Sequence, residues 1–228
     1  MNNYTMRETD GVTVREVSNY TVPEDCVLVL RSNTANDTSY NDFQWPHIGH
    51  VSAPDWNPKP VCGYGLHGAL WGVGDGNLFR FEESAIWKVV EVESAAIVNL
   101  GGKVKFPECT IVHSGTQKTA TDFLKKFAPP EAQIIGATAT AGYQGTAIAG
   151  DYGTAIAGDY GTATAGYRGT ATAGYRGTAA AGQGGIIQLW FFDEVSNRRR
   201  AVTGYVGENG VKPNTGYRLF DGVLQARE

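Results

Sequence analysis

Four residues of metal-ligating type fall within a short span of the chain: His47, His50, Cys62 and His67. Imidazole nitrogen and thiolate sulfur are donors that suit zinc. Their spacing, H-x2-H followed by C-x4-H, is not that of a zinc finger, and no metal or other cofactor is assigned from it. A second group, Arg198, Arg199 and Arg200, would suit an anionic partner, although such a run is more often the solvated face of a strand. Trp45, Trp56 and Trp71 are of the residue type that anchors protein interfaces. With the three arginines they form the expected partner-binding set. Other chemistries lack their signals. There is no P-loop, no complete G-x-G-x-x-G and no compelling Ser-His-Asp order, and "GVGDGN" at Gly72–Asn77 reads as a tight turn.

An enzymatic alternative attaches to His67 with Glu91 or Glu93. The segment "YGLHG", Arg31 on an early strand and a late strand-borne glutamate together resemble the layout of mono-ADP-ribosyltransferases. The resemblance implies that His67 would hold a nicotinamide ribose. It implies that Glu91 or Glu93 would stabilise an oxocarbenium-like transition state. The plainer reading has the glutamates facing water and the histidine hydrogen-bonded in a turn.

These residues need elements to hold them. The chain has 228 residues, enough for one large or two small domains, and a net charge of −4, which argues against non-specific nucleic-acid binding. The polar start "MNNYTMRETDG" reads as no secretory signal, and the apolar run "IIQLWFF" is far too short to span a membrane. Three cysteines, Cys26, Cys62 and Cys109, are odd in number and widely spaced, as expected of a reduced, cytoplasmic protein. In the first part, "VLVLRSN", "AIWKVVEVE" and "KVKFPECTIVHSG" read as strands. Four prolines between residues 46 and 60 make an irregular loop. Ala120, Phe123, Leu124 and Phe127 recur at helical spacing, and Pro129 stops that helix.

From Ala137 the chain divides into six octads, ATATAGYQ, GTAIAGDY, GTAIAGDY, GTATAGYR, GTATAGYR and GTAAAGQG. Within each, T-A-x-A alternates as a strand does, and the glycines are expected to supply the turn conformations. Eight residues are too few for a closed coil. Two octads per coil give three stacked coils of parallel strands. Alanine, fixed at the third and fifth places, predicts a narrow interior. Threonine at the second place then forms outward ladders, and the tyrosines sit at exposed corners. After the repeat, "IIQLWFF", "RRRAVTGYV" and "GYRLFDG" read as capping strands. Trp190, Phe191, Phe192, Tyr205, Val206, Leu219 and Phe220 are the expected cap core.

The octad "AGYRGTAT" resembles the repeat of bacterial ice-nucleation proteins, which implies a β-solenoid with sixteen residues per coil over residues 137–184. Glycine stands where that repeat has serine, and two of the five tyrosines, Tyr152 and Tyr160, are shifted by one place. The repeat with its tail also resembles a C-terminal module of phage and prophage proteins. Over residues 26–115, "FQWP", "APDW", "CGYGLHG", "VVEVE" and "GKVKFP" resemble phage and bacterial domains of unknown function.

The expected architecture is an α+β N-terminal domain (1–130), an octapeptide β-solenoid (131–184) and a β-strand cap (185–228). The expected function is a non-enzymatic phage or mobile-element protein that binds a host protein. The model case is a counter-defence inhibitor of the anti-CRISPR kind, with the solenoid as a rigid binding or homodimerising surface. The alternatives are a mono-ADP-ribosyltransferase-like enzyme and an ice-binding or structural repeat protein.

Overall fold

The computed structural model describes residues 4–9 and 11–227, which form nineteen strands, three short 3-10 turns and one α-helix. The chain falls into two compact units, residues 1–132 and 133–228.

The first unit contains β1 (Tyr4–Thr9), β2 (Val12–Val17), β3 (Cys26–Asn33), β4 (Gly49–Ser52), β5 (Leu66–Leu70) and β6 (Ile86–Glu93). It continues with β7 (Val98–Asn99), β8 (Val104–Phe106), β9 (Glu108–Gly115) and the helix α1 (Gln117–Lys125). The strands pair antiparallel in the order β1-β2-β9-β6-β3-β5-β8-β7, and β4 pairs with β9. The central strands are apolar on both faces. Leu28, Val29, Leu30, Val89 and Val90 are all 0% exposed, so the sheet is covered on both sides. One face packs α1, through Phe123 stacked on His113 at 5.1 Å. Thr116 caps that helix, its side chain accepting from the Thr119 N–H. The other face packs the irregular loop that carries Trp45, which clusters with Val29, Val90, Phe106 and Ile111. The unit is therefore mostly β with one helix, where a fuller α+β mixture was expected. The β1–β2 hairpin accounts for part of the difference. Its strands are polar on their outer positions, and only Val14 of "VTVREV" is fully buried.

The second unit is a solenoid. β10 (Thr138–Ala141), β12 (Thr154–Ala157) and β14 (Thr170–Ala173) stack in parallel in one sheet. β11 (Thr146–Ala149), β13 (Thr162–Ala165) and β15 (Thr178–Ala181) stack in the other. Thr138 pairs with Thr154 and Thr154 with Thr170, so the coil is sixteen residues and the stack about three coils high. The alanines of places three and five fill the interior, from Ala147 to Ala181.

The strands that follow continue both sheets. β16 (Ile186–Asp193) pairs in parallel with β14, and β17 (Arg198–Tyr205) folds back on it. β18 (Tyr217–Phe220) turns antiparallel onto β15, and β19 (Val223–Ala226) closes that side. No helix among the described residues is long and apolar enough to cross a membrane.

Candidate functional site

The repeat points two residues per strand outward, at places two and four. On the β10-β12-β14 sheet these make the columns Thr138–Thr154–Thr170 and Thr140–Ile156–Thr172, in register. Strand geometry sets the rungs about 4.8 Å apart and the columns about 6.6 Å apart. The opposite sheet offers Thr146–Thr162–Thr178 with Ile148–Thr164–Ala180. That ladder is interrupted at its third rung. Thr178 is 4% exposed, and its Oγ1 accepts from Arg218 Nε at 2.7 Å. The first sheet keeps every rung at the surface. Threonine hydroxyls both donate and accept, so a regular array of them can hydrogen-bond neighbouring waters.

The corners explain the shifted tyrosines. Residues at the eighth place, Gln144, Tyr152, Tyr160, Arg168 and Arg176, carry the left-handed backbone, with φ between 50° and 59°. This corrects the expected role of the glycines, which are needed for room. A Cβ on Gly161 would sit 2.8 Å from the Gly145 carbonyl of the coil before. Where aspartate takes the seventh place, its carboxylate caps the next coil. Asp151 Oδ1 accepts from the Tyr167 N–H at 2.9 Å and Asp159 Oδ1 from the Tyr175 N–H at 2.8 Å. The tyrosine moves to the eighth place, yet its ring stays in column. Tyr143, Tyr160 and Tyr175 stack edge-on at 5.6 and 5.9 Å.

The cap core differs from the expected set. Ile187 pairs with Ala171 and Leu189 with Ala173, so the inward alternation of the octad carries straight into β16. Trp190 and Phe192 therefore point outward, at 36% and 50% exposed, as do Tyr205 and Phe220. The core is Ile187, Leu189, Val206, Val211 and Tyr217, with Leu219 and Leu224 against it. Arg198, Arg199 and Arg200 are exposed on β17. Arg199 reaches Asp159 at 3.6 Å and Arg200 Nε bonds Asp193 at 2.6 Å, contacts that contribute little in water.

In the first unit the expected ligands and catalytic residues are dispersed. His47 pairs with Asp37, His50 with Ser52 and Glu108, and Cys62 with Lys103. Among the described residues no group of three or more His, Cys, Asp or Glu side chains is placed to hold a metal ion. His67 lies on β5, which opposes β3 at Val29 and Leu30 and runs on toward the Asn33 end. Glu91 and Glu93 oppose Leu28 and Cys26, toward the other end. Glu91 is engaged by the Tyr20 hydroxyl at 2.6 Å. Burial, with the charges of Lys103, Arg31 and Lys105, pushes the His67 imidazole down to about 4, so it is neutral near pH 7. Arg31 Nη1 donates to the His67 carbonyl at 3.0 Å, while the two glutamates lie toward the opposite end of β3.

Trp45 is 2% exposed, so it cannot anchor a partner. Its Nε1 donates to Ser39 Oγ at 2.9 Å and its face covers the Arg31 guanidinium at 3.4 Å, which pins its own loop to the sheet. Trp56 is half-buried against Gly65, and Trp71 is half-buried in a turn at φ 52°.

Sequence reasoning missed a buried polar network on that face. Lys88, 0% exposed, donates to Asp37 Oδ2 at 2.8 Å, Pro46 O at 3.0 Å and Ser114 Oγ at 3.0 Å. Asn33 links Asp37 Oδ1 to Arg31, whose Nε and Nη2 both reach Asn33 Oδ1. Burial pulls Lys88 down to about 8 and Arg31 to about 9, with Asp37 opposing both shifts. The available signal was a lysine in the middle of the apolar run "IWKVV".

Comparison with known proteins bears on the repeat. The chain is 36% identical over 100 residues to an ice nucleation protein of Pseudomonas fluorescens, 43% of this chain and 8% of that protein. It is 34% identical over 105 residues to the ice nucleation protein InaU of Pantoea ananas, 44% of this chain and 10% of that one. An ice nucleation protein of Xanthomonas campestris pv. translucens is 31% identical over 117 residues, 50% of this chain and 8% of the relative. The chain thus matches a small fraction of these proteins' length. No family model matches the chain, and no solved structure does.

Proposed function

We propose that the protein is a non-enzymatic structural repeat protein whose solenoid binds ordered water or ice through the β10-β12-β14 face. The observation that carries this is the pair of outward columns, Thr138–Thr154–Thr170 and Thr140–Ile156–Thr172, in register on a rigid alanine-filled core. The similarity to ice nucleation proteins supports the same reading. The counter-defence reading draws no support from these relatives. Size sets the mode of action. Three rungs span only about 10 Å, too little to template a freezing nucleus, so the face adsorbs to existing ice instead.

Slow freezing of a stirred solution of the full chain tests this. The protein should partition into the growing ice, while droplets containing it freeze close to the temperature of buffer alone. Exclusion from the ice to the same degree as an inert protein of equal size would refute the reading.

A further inference from the structure

A row of directly opposed residues crosses four neighbouring strands of the first unit. Arg15 on β2 opposes Ser114 on β9, Ser114 opposes Lys88 on β6, and Lys88 opposes Arg31 on β3. Opposed residues of antiparallel strands share a face, so three cations and one hydroxyl stand in line. Among the described residues, the carboxylate within the row's hydrogen-bond network is Asp37. Its Oδ2 serves both Lys88 at 2.8 Å and His47 Nδ1 at 2.9 Å. One negative charge thus answers two buried cations. Arg15, half-buried at the end of the row, makes no ion pair among the described residues. Buried and half-buried cations in excess of their partners are a standing cost unless an anion completes the set.

The end of this row opens into a groove of about 750 Å³, whose lining includes Thr13, Arg15, His47, Ser84 and Ser114. That volume is of the size that takes a nucleotide-sized ligand. The hydrogen-bond logic turns donors toward the space. Lys88 can only donate, so Ser114 Oγ accepts from it and keeps its own O–H to give. The Asp37 carboxylate can only accept, so His47 Nδ1 carries the hydrogen there, and Nε2 accepts from a phosphate O–H in the neutral ring or donates to a phosphate oxygen in the imidazolium. Arg15 adds a planar fork suited to phosphate. Among the described residues of the lining Glu83 is the one acidic residue, and it is exposed.

We propose that this groove binds a phosphomonoester of nucleotide size, with its phosphate on Arg15, Ser114 and His47. The site is independent of the solenoid and of the ice-binding reading.

Calorimetric titration of the full chain with adenosine monophosphate, inorganic phosphate and adenosine tests this. Both anions should bind and adenosine should not. Arg15→Gln should weaken the nucleotide about tenfold or more at an unchanged melting temperature. In the unmutated protein, the nucleotide should shield Arg15 from phenylglyoxal, read by mass spectrometry. Absence of binding by both anions at millimolar concentration, equal affinity in a folded Arg15→Gln protein, or equal labelling of Arg15 with and without nucleotide would each overturn the proposal.

Discussion

The two units bury surface by opposite means. The first fills its interior with Leu28, Trp87, Phe106 and Ile111, all at most 1% exposed. The solenoid fills its interior with the methyl groups of ten buried alanines, from Ala147 to Ala181. A methyl interior brings two sheets so close that size is limited from above. A bulky interior is limited from below, because a lost ring leaves a cavity. Each unit should therefore break under the substitution that the other tolerates best.

The largest effect is expected in the first unit. Trp87 packs Phe79 at 5.1 Å and Phe81 at 5.4 Å, and Trp87→Ala should cost about 3–5 kcal/mol in denaturant melts. In the solenoid, Ala163→Leu should cost roughly 1–3 kcal/mol or more by overpacking. Gly161→Ala should cost a similar amount, since its Cβ would meet both the Gly145 carbonyl at 2.8 Å and Ala157 Cβ at 2.9 Å. Thr154→Val on the outer face should change little, within about 0.5 kcal/mol. Equal tolerance of Ala163→Leu and Thr154→Val would remove the distinction between inside and outside.

Acid probes the first unit through Glu16. The imidazole of His113 beside it, with Lys126, holds the Glu16 carboxyl down at about 2 against an ordinary 4.5. A carboxylate with a depressed folded value lends stability that is complete above about 4.5 and is lost as the pH falls toward 2. Glu16→Gln should flatten that part of the acid limb in melts followed from pH 7 to pH 2.

Smaller still is the corner effect. Arg176 holds φ 54° without being glycine, so Arg176→Gly should gain up to about 1 kcal/mol. Cysteine chemistry gives a rate rather than a stability. Lys103, 3.0 Å from Cys62 Sγ, lowers that exposed thiol, while burial pushes Cys109 up to about 12. Iodoacetamide should therefore label Cys62 first, and Lys103→Met should slow it several-fold.

The repeat was legible because its information is local and restated every eight residues. The sixteen-residue coil, the inward alanines and the outward threonines all follow from alternation and length. The helix was legible from Ala120, Phe123 and Leu124, which are the apolar residues it buries. The cap core was legible too, but only by counting octad places past Gly185. Ile187 and Leu189 fall at the third and fifth places, whereas bulk alone pointed to Trp190 and Phe192. The corners resisted because glycine suggests positive φ, and here lack of room explains it instead. The polar network resisted for a different reason. Asp37 and Lys88 are 51 residues apart, and nothing local in "NTANDTSY" marks an aspartate that will be buried.

The most direct test of a water-ordering face is a pair of double variants compared for uptake into growing ice. Thr154→Lys with Thr170→Lys blocks the uninterrupted β10-β12-β14 ladder, and Thr146→Lys with Thr162→Lys blocks the opposite one. With circular dichroism and melting temperature unchanged, the first pair should abolish uptake and the second should leave most of it. Uptake by the first pair equal to that of the unmodified protein would contradict the assignment of function to that face.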